Sequence, residues 1–334
     1  MLTASVIGCG HGGGLSLAAL ENSRAYKLIA AADPLADVRQ HVAHRFPDLR
    51  LFADFRDMLA ECHTDVVCVA TPAPSHASIA REVVRRDPKG LLLEKPLACS
   101  FSTAAGLLKE IRETDCPMVV PHGMLVLPAV QEVKARVRRG DIGQIVSVEI
   151  QNAVDLLNGG IHWLAYLLDV FDSDKPGIAN AEFDIGGHVV NDGVQVESRG
   201  TTRIELESGL RIEMQSGYET RPTSDVLPRE EQQGALFCMT GSNGVIEFSA
   251  WAGSYWIKTG ESNGELVKRA LPAGSSYHQL FLEQLAQDIA AGKPDYGSAE
   301  LSLAALRLIE SAYQQHGNSD WALGVPHSSI REPT

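Results

Sequence analysis

The chain has 334 residues, of which 44% are hydrophobic and 21% are charged, and its formal net charge is −13 at pH 7. The length favours two domains, the composition is typical of a soluble globular protein, and the negative charge disfavours a nucleic-acid partner. No apolar run reaches the roughly 18 residues that a membrane-spanning helix needs, and no signal-peptide pattern follows Met1. The six cysteines include no C-x-x-C pair, so we expect a cytoplasmic protein without a metal site.

The first part of the chain alternates short apolar runs with amphipathic stretches. The apolar runs have the length of strands and lie at residues 4–8, 27–33, 65–71 and 90–94. Continuous runs of this kind are typical of strands that are buried on both faces of a parallel sheet, and helical patterns separate them. The sequence therefore predicts an α/β domain with a doubly wound parallel sheet over residues 1–121.

The pattern changes after this first domain. Residues 129–140 predict a helix that ends at Gly140. Residues 203–219 alternate between apolar and polar side chains, which is typical of antiparallel strands covered on one face. The tripeptide SNG, at 242–244 and 262–264, predicts two hairpin turns. The predicted buried face of the alternating stretch contains Ile204, Leu206, Leu210, Ile212 and Met214.

Two helical patterns near residues 277–316 close the chain, with Gly292 and Gly317 as predicted stops. Strand-like runs followed by helices are typical of an α+β arrangement. We therefore predict a second domain over residues 122–334 that contains an open, mostly antiparallel sheet and binds the substrate. Its closing helices could pack back on the first domain.

A glycine-rich loop follows the first strand-like run. In the sequence GCGHGG, Gly8, Gly10 and Gly13 fill a G-x-G-x-x-G pattern that also contains His11 and Gly12. Glycines at these positions allow a tight turn and a close approach to a pyrophosphate, and the N-terminus of the following helix favours its negative charge. We predict that this loop binds a dinucleotide.

The choice of dinucleotide depends on the end of the second strand. Asp33 stands there, twenty residues after Gly13, and no Arg or Lys follows it before Arg39. A carboxylate at this position accepts hydrogen bonds from the ribose hydroxyls of NAD and repels the 2′-phosphate of NADP. The sequence therefore favours NAD over NADP as the cofactor.

Polar residues also follow the third strand-like run. Thr71 and Pro72 stand at its end, and His76 lies a few residues later. Ligands of an open α/β sheet bind beyond the carboxyl ends of the strands, so we predict that these residues line the nucleotide. His76 has two interpretations, a cofactor contact or a solvated residue at the start of a helix.

The fourth run ends in the sequence LLLEKP, which places Glu94 and Lys95 at the same edge of the sheet, near the nicotinamide. Successive side chains of a strand point in opposite directions, so only one of the two can face the cofactor. Pro96 fixes φ and lacks an N–H, and it sets the direction in which the chain leaves, through a trans or a cis peptide bond.

Taken together, these segments resemble the glucose–fructose oxidoreductase and inositol dehydrogenase family (Gfo/Idh/MocA-like). The resemblance rests on GCGHGG, on ATPAPSH at 70–76 and above all on EKP at 94–96, and it extends to GDIGQIVSVEI at 140–150 and NGGIH at 158–162. It implies a Rossmann domain, a second domain whose open sheet face forms homodimers or homotetramers, and hydride transfer between NAD(P) and a hydroxyl carbon of a sugar or cyclitol.

The resemblance also implies roles for single residues. Lys95 would be the catalytic lysine and would bind both cofactor and substrate, His162 would be the catalytic histidine, and Glu94 would be a structural or cofactor contact. Oxidation of an alcohol requires a group that takes the hydroxyl proton while hydride leaves. Desolvation lowers the pKa of a lysine, and a helix N-terminus favours a neutral histidine. Either residue could be the formal base.

The chain departs from the family near the histidine. Asn158 stands where the family usually has Asp, and Ala165 stands where many members have another Asp. We therefore consider four residues as replacement contacts to the substrate, each equally well explained by packing. They are His122, Asp155, Asn158 and Trp163.

The sequence thus predicts an NAD-dependent oxidoreductase that acts on a sugar, sugar acid or cyclitol. One alternative is a redox-neutral enzyme that keeps NAD tightly bound and acts on a glycoside by transient oxidation. The other is a non-catalytic sensor that binds a dinucleotide and signals to a partner.

Overall fold

The computed structural model describes residues 1–172, 175–184, 189–191, 194–217 and 224–316. The chain divides into two compact units. The first contains Met1–Pro121 and Pro272–Leu303, and the second contains His122–Leu271 and the residues that follow Leu303. The helix stop predicted at Gly317 and the last residues of the alternating stretch 203–219 lie outside the described residues.

The first unit is built on a parallel sheet. Its strands are β1 (Leu2–Ile7), β2 (Tyr26–Ala32), β3 (Arg50–Phe52), β4 (Val66–Val69), β5 (Gly90–Leu93) and β6 (Met118–Val119). Their order is β3-β2-β1-β4-β5-β6, and all neighbouring pairs are parallel. This confirms the predicted doubly wound fold. The sequence did not predict β3 and β6, because two or three residues are too few to show a period, so the LLLEKP strand is the fifth in the chain.

The helices, in chain order, are α1 (His11–Asn22), α2 (Ala36–Arg45), α3 (Phe55–Glu61), α4 (Ala73–Val84), α5 (Phe101–Arg112), α6 (Pro128–Arg139), α7 (Ile161–Val170), α8 (Tyr277–Ala291) and α9 (Gly297–Gln315). Two predicted helix ends are confirmed. Gly140 and Gly292 directly follow α6 and α8 with φ angles of 77° and 60°, a left-handed conformation that glycine adopts readily. No helix in the described ranges is long and apolar enough to cross a membrane.

Helix α8 belongs to the first unit although it comes late in the chain. A Cβ atom on Gly90 would lie 2.9 Å from Cδ1 of Ile289, so the glycine at the start of β5 leaves room for this helix. The buried hydroxyl of Tyr26 in β2 donates a 2.6 Å hydrogen bond to the carbonyl oxygen of Leu282. These contacts join α8 to the parallel sheet.

The second unit is built on an open sheet. Its strands are β7 (Ile145–Gln151), β8 (Pro176–Asp184), β11 (Arg199–Leu206), β12 (Arg211–Gly217), β13 (Leu236–Gly241), β14 (Gly244–Ser249), β15 (Ser254–Thr259) and β16 (Glu265–Lys268), and a small separate hairpin consists of β9 (Val189–Asn191) and β10 (Val194–Val196). The strand order is β16-β15-β14-β13-β7-β12-β11-β8, and every pair is antiparallel except β7 with β12. This confirms the mostly antiparallel sheet.

The alternation predicted for residues 203–219 corresponds to β11 and β12, which pair as an antiparallel hairpin. Four of the five predicted inward residues are buried, and Leu210 lies in the turn and is partly exposed. The outward face is polar, as Arg203 and Glu213 illustrate with a 2.9 Å ion pair across the two strands. Both SNG segments connect antiparallel neighbours, β13 with β14 and β15 with β16, so the two hairpins are confirmed.

We expect Tyr26→Phe to lower the free energy of unfolding by about 1 kcal/mol, because it removes a buried hydrogen bond between β2 and α8. Tyr296→Phe is the matched control, since the buried Tyr296 hydroxyl has no hydrogen-bond partner among the described residues. The control should change stability by less than about 0.5 kcal/mol. Urea unfolding of both variants measures the difference, and equal losses would contradict the proposed anchoring of α8.

Candidate functional site

The glycine loop connects β1 to α1, and its glycines have different roles. A Cβ atom on Gly8, whose φ is +82°, would lie 2.6 Å from the carbonyl oxygen of Ala70, and one on Gly13 would lie 1.8 Å from the carbonyl oxygen of Gly8. Backbone packing therefore requires both. A Cβ atom on Gly10 would meet no described atom within 4 Å. Packing among the described residues does not explain that glycine, and its contact with a pyrophosphate stays a prediction.

Helix α1 begins at His11, directly after Gly10, and no side chain caps its N-terminus. The first N–H groups of a helix have no intrahelical partner, and together with the helix dipole they attract anions. The N-terminus of α1 and the open space at Gly10 thus fit a phosphate group.

Asp33 directly follows β2 and is 7% exposed. Its Oδ2 accepts a 2.8 Å hydrogen bond from the N–H of Cys9 in the glycine loop, and its Oδ1 accepts one of 2.9 Å from the N–H of Leu35. Asp33 therefore fixes the glycine loop relative to the turn after β2. Arg39 donates to the carbonyl oxygens of Asp33 and Pro34, each at 2.8 Å, which places a cation beside this turn.

His76 is 1% exposed, so it is not a solvated residue at a helix start. Its Nδ1 lies 2.7 Å from the carbonyl oxygen of Pro96 and its Nε2 lies 2.5 Å from that of Thr71. Burial lowers the pKa of His76, while the two carbonyl oxygens and the charge of Glu94 oppose this effect. The ring therefore holds the segment after β4 next to the segment after β5.

Glu94 lies next to two helices of the first unit, α8 and α1. Its Oε1 is 2.7 Å from Nε2 of His278 in α8, and a Cβ atom on Gly12 would lie 3.3 Å from its Cδ. Burial by itself raises the pKa of Glu94, but His278 through its hydrogen bond and charge, together with the charges of Lys95 and His76, lowers it overall. Glu94 is therefore an ionised carboxylate held against the N-terminal turn of α1.

Lys95 directly follows Glu94 and is partly buried. The peptide bond between Lys95 and Pro96 is cis. The charge of Lys95 lowers the pKa of both Glu94 and His76, so its ammonium group shares their surroundings. The structure thus brings five of the predicted residues together at the ends of β4 and β5. They are Thr71, Pro72, His76, Glu94 and Lys95.

The sequence did not predict His278, which is 1% exposed. The positions of His278 and Glu94 differ by 184 in the chain. A single histidine in the first turn of a predicted helix carries no signal that identifies so distant a partner.

The histidine of NGGIH lies in the second unit. His162 occupies the first turn of α7, directly after a π-helical turn over Leu156–Gly160. A Cβ atom on Gly159 would lie 2.2 Å from Cγ2 of Val154, so the wide turn requires this glycine, whereas one on Gly160 would meet Cδ1 of the flexible Leu156 side chain at 2.6 Å.

Asp155 and Asn158 hold the start of this turn. Oδ1 of the buried Asp155 accepts a 2.7 Å hydrogen bond from the backbone N–H of Asn158. The side-chain amide of Asn158 donates to both oxygens of Asp155, at 3.0 Å and 2.9 Å. This pair caps the turn that carries His162, and substrate contacts by either residue stay a prediction.

Aromatic rings enclose His162, which is 6% exposed. Its Nδ1 lies 3.3 Å from Nδ1 of the fully buried His122. The centroids of Trp163 and Trp251 lie 5.8 Å and 5.3 Å from that of His162. The structure therefore groups the predicted residues His122, His162 and Trp163 with Trp251. The sequence did not predict Trp251. Trp251 follows β14, and a lone tryptophan after a strand is typical of core packing.

A third residue that the sequence did not predict, Glu197, supports the π-helical turn. Its Oε1 accepts hydrogen bonds from the N–H of Leu156 at 2.7 Å and the hydroxyl of Ser216 at 2.6 Å, and its Oε2 accepts one from the hydroxyl of Tyr313. Burial raises the pKa of Glu197 to about 7, and the charge of Asp155 adds to this effect. A buried carboxyl group thus positions the π-helical turn.

Residues 2–122 match the model of Gfo/Idh/MocA, an oxidoreductase family with an NAD-binding Rossmann fold. D-apiose dehydrogenase from Paraburkholderia graminis is 23% identical to the chain over 338 residues, which cover 92% of this chain and 86% of that protein.

Two solved structures confirm the fold of the chain. An oxidoreductase from Agrobacterium radiobacter in complex with NAD+, L-tartaric acid and magnesium has a TM-score of 0.75 at 20% identity, with 95% of this chain and 96% of that chain covered. The 3-ketoreductase KijD10 from Actinomadura kijaniata, in complex with TDP-benzene and NADP, has a TM-score of 0.79 at 19% identity, with coverages of 94% and 97%.

We expect Glu197→Gln to stabilise the protein at alkaline pH. The folded-state pKa of about 7 lies above the ordinary value, so the wild type loses stability as pH rises from about 4.3 to 7, by up to about 1.4 kcal/mol per pH unit. Glutamine has no such slope and retains an acceptor oxygen. Unfolding free energies of both proteins between pH 5 and 8 measure the difference, and a constant difference would contradict the raised pKa.

Proposed function

Because the chain belongs to the Gfo/Idh/MocA family of NAD-binding oxidoreductases, we propose that it transfers hydride between NAD and a hydroxyl carbon of a sugar, sugar acid or cyclitol. The position of Lys95 carries this proposal. Lys95 directly follows Glu94 at the carboxyl end of β5, and Glu94 lies against Gly12 in the first turn of α1. Ligands of such sheets bind at this edge. The sugar substrate named for D-apiose dehydrogenase supports the substrate class.

The residues of the first unit fit a dinucleotide. The space at Gly10 and the N-terminus of α1 suit the pyrophosphate. Each oxygen of Asp33 accepts one backbone N–H and keeps a further lone pair for a ribose hydroxyl. The bound dinucleotide supplies the hydride acceptor or donor for the reaction.

We propose that Lys95 holds the hydroxyl oxygen of the substrate and that His162 accepts the hydroxyl proton. The ammonium group of a lysine hydrogen-bonds the hydroxyl oxygen and stabilises the negative charge that develops when the proton leaves. A neutral imidazole nitrogen with a lone pair accepts that proton. The carbon loses hydride and the oxygen loses a proton, so a carbonyl product forms.

The preference for NAD rests on Asp33, and Arg39 acts in the opposite direction. The carboxylate repels a 2′-phosphate, whereas the guanidinium beside the same turn attracts one. We propose that the carboxylate dominates, because it is nearly buried and its charge is therefore screened less. Assembly through the open sheet face and a cytoplasmic location stay predictions from the sequence.

We expect Asp33→Asn to improve NADP+ binding relative to NAD+ by roughly tenfold, because the repulsive charge is lost while one acceptor oxygen remains. The control is the double variant Asp33→Asn with Arg39→Ala, which should lose most of this gain. Titration of each protein with both dinucleotides gives the ratio of Kd values. A ratio that Asp33→Asn leaves unchanged would refute the role of Asp33 in cofactor choice.

We expect Lys95→Ala to lower turnover by at least roughly 100-fold with little change in NAD affinity, because it removes the group that holds the hydroxyl oxygen. Lys89→Ala is the matched control, since Lys89 precedes the other end of β5 and pairs with Asp65. A screen of sugars, sugar acids and inositols, followed by NADH absorbance, identifies the substrate for both assays. Equal turnover of the Lys95 variant and wild type would refute the assignment.

The same screen separates the other functions. Net formation of NADH supports the dehydrogenase. Conversion of a glycoside without net NADH would instead indicate the redox-neutral enzyme. Binding of a sugar without any conversion would indicate a sensor.

A further inference from the structure

Two imidazole rings meet in the interior of the second unit. His122 lies directly before a 3-10 turn over Gly123–Leu125 and is fully buried, and His162 lies in the first turn of α7. Their Nδ1 atoms are 3.3 Å apart and their ring planes meet at 79°. The distance is that of a hydrogen bond between the two nitrogen atoms.

Only one of these two nitrogens can carry the shared proton, and the choice decides what His162 can do. If Nδ1 of His122 donates, Nδ1 of His162 accepts, and the proton of the neutral His162 ring lies on Nε2. Such a ring offers no lone pair to a substrate. If Nδ1 of His162 donates instead, its Nε2 carries the lone pair, and the ring can act as a base.

When Nδ1 of His162 is the donor, its hydrogen bond to His122 also persists during the reaction. When Nε2 of His162 takes a proton, the ring becomes an imidazolium whose Nδ1–H still donates to His122. That hydrogen bond becomes charge-assisted and therefore stronger. In the first arrangement the only lone pair of His162 is already occupied by the N–H of His122, so protonation of His162 would break the contact.

Of the described aromatic rings next to His162, the imidazole of His122 is the one with a nitrogen that can accept a hydrogen bond. Asn158 stands one helical turn before His162 and offers an amide, and it is paired with the carboxylate of Asp155. Trp163 and Trp251 contribute aromatic surfaces, and an indole nitrogen can only donate a hydrogen bond. His122 in contrast presents a nitrogen that can accept.

We propose that His122 is a positioning residue that accepts a hydrogen bond from Nδ1 of His162 and holds His162 in the tautomer whose proton is on Nδ1 and whose lone pair is on Nε2. The inference rests on the proposed function, in which His162 takes the proton of the substrate hydroxyl. His122 itself does not contact the substrate in this arrangement. The proton moves from the hydroxyl oxygen to Nε2 of His162, and Nδ1 keeps its own proton throughout.

The tautomer is measured by ¹⁵N NMR of the protein labelled on histidine, with a His162→Gln variant to assign the signals. In the wild type we expect His162 to be protonated on Nδ1 and unprotonated on Nε2. Protonation on Nε2 with a bare Nδ1 would overturn the proposal. This experiment needs no substrate, so it tests the inference even if the proposed dehydrogenase activity is wrong.

Two variants test the consequence for catalysis. His122→Phe keeps a ring but removes the acceptor, and His122→Asn places an amide oxygen near the former Nδ1. We expect His122→Phe to lower kcat roughly 10- to 100-fold with little change in KM, and to show a mixture of His162 tautomers. His122→Asn should restore the Nδ1–H tautomer and most of kcat. An unchanged kcat in His122→Phe, or no recovery in a folded His122→Asn, would contradict the positioning role.

Discussion

The 2.7 Å hydrogen bond between Glu94 and His278 is the interaction on which the first unit's candidate site depends. It joins the end of β5 to the N-terminal turn of α8, and the Glu94 side chain also lies against Gly12 in α1. A buried carboxylate is costly unless charges and hydrogen bonds compensate for lost water. Here the hydrogen bond with His278 and the charge of Lys95 act against burial and lower the pKa of Glu94 overall. Lys95 follows Glu94 in the chain, so its position depends on the same pair.

Buried polar groups play a similar part in the second unit. Asp155 caps the π-helical turn, and Glu197 accepts the N–H of Leu156 at its start. His162 follows this turn and contacts His122. In both units, the residues proposed to act on the substrate have buried polar neighbours, such as His76 beside Lys95 in the first unit and His122 beside His162 in the second. Such support restricts the side chains to few geometries, as catalysis requires.

Local sequence patterns predicted much of the fold. The apolar runs of β1, β2, β4 and β5, the stop at Gly140 and the SNG hairpins each depend on neighbouring residues, and the structure confirms them. The glycine loop and the EKP segment were likewise recognisable, because each is a short motif with a fixed position after a strand. The strands β3 and β6 were missed, since they are too short to show a pattern.

The candidate site was only partly predictable, because many of its contacts join distant segments. Nothing near residue 278 indicates a partner at Glu94, and nothing near Glu197 indicates that it supports the start of another turn. The burial of His76 also depends on carbonyl oxygens supplied by Thr71 and Pro96 after two different strands. A single sequence contains no signal for such pairings, whereas the three-dimensional structure gives them directly.

Direct hydride transfer from a hydroxyl carbon is the central claim, and isotope labelling tests it most directly. The protein would be incubated with NAD+ and with polyols and sugars deuterated at their hydroxyl-bearing carbons, and the NADH formed would be analysed by mass spectrometry. We predict NADH that carries deuterium together with an oxidised sugar or cyclitol. NADH without deuterium, or conversion of the substrate with no labelled coenzyme at any stage, would contradict the claim.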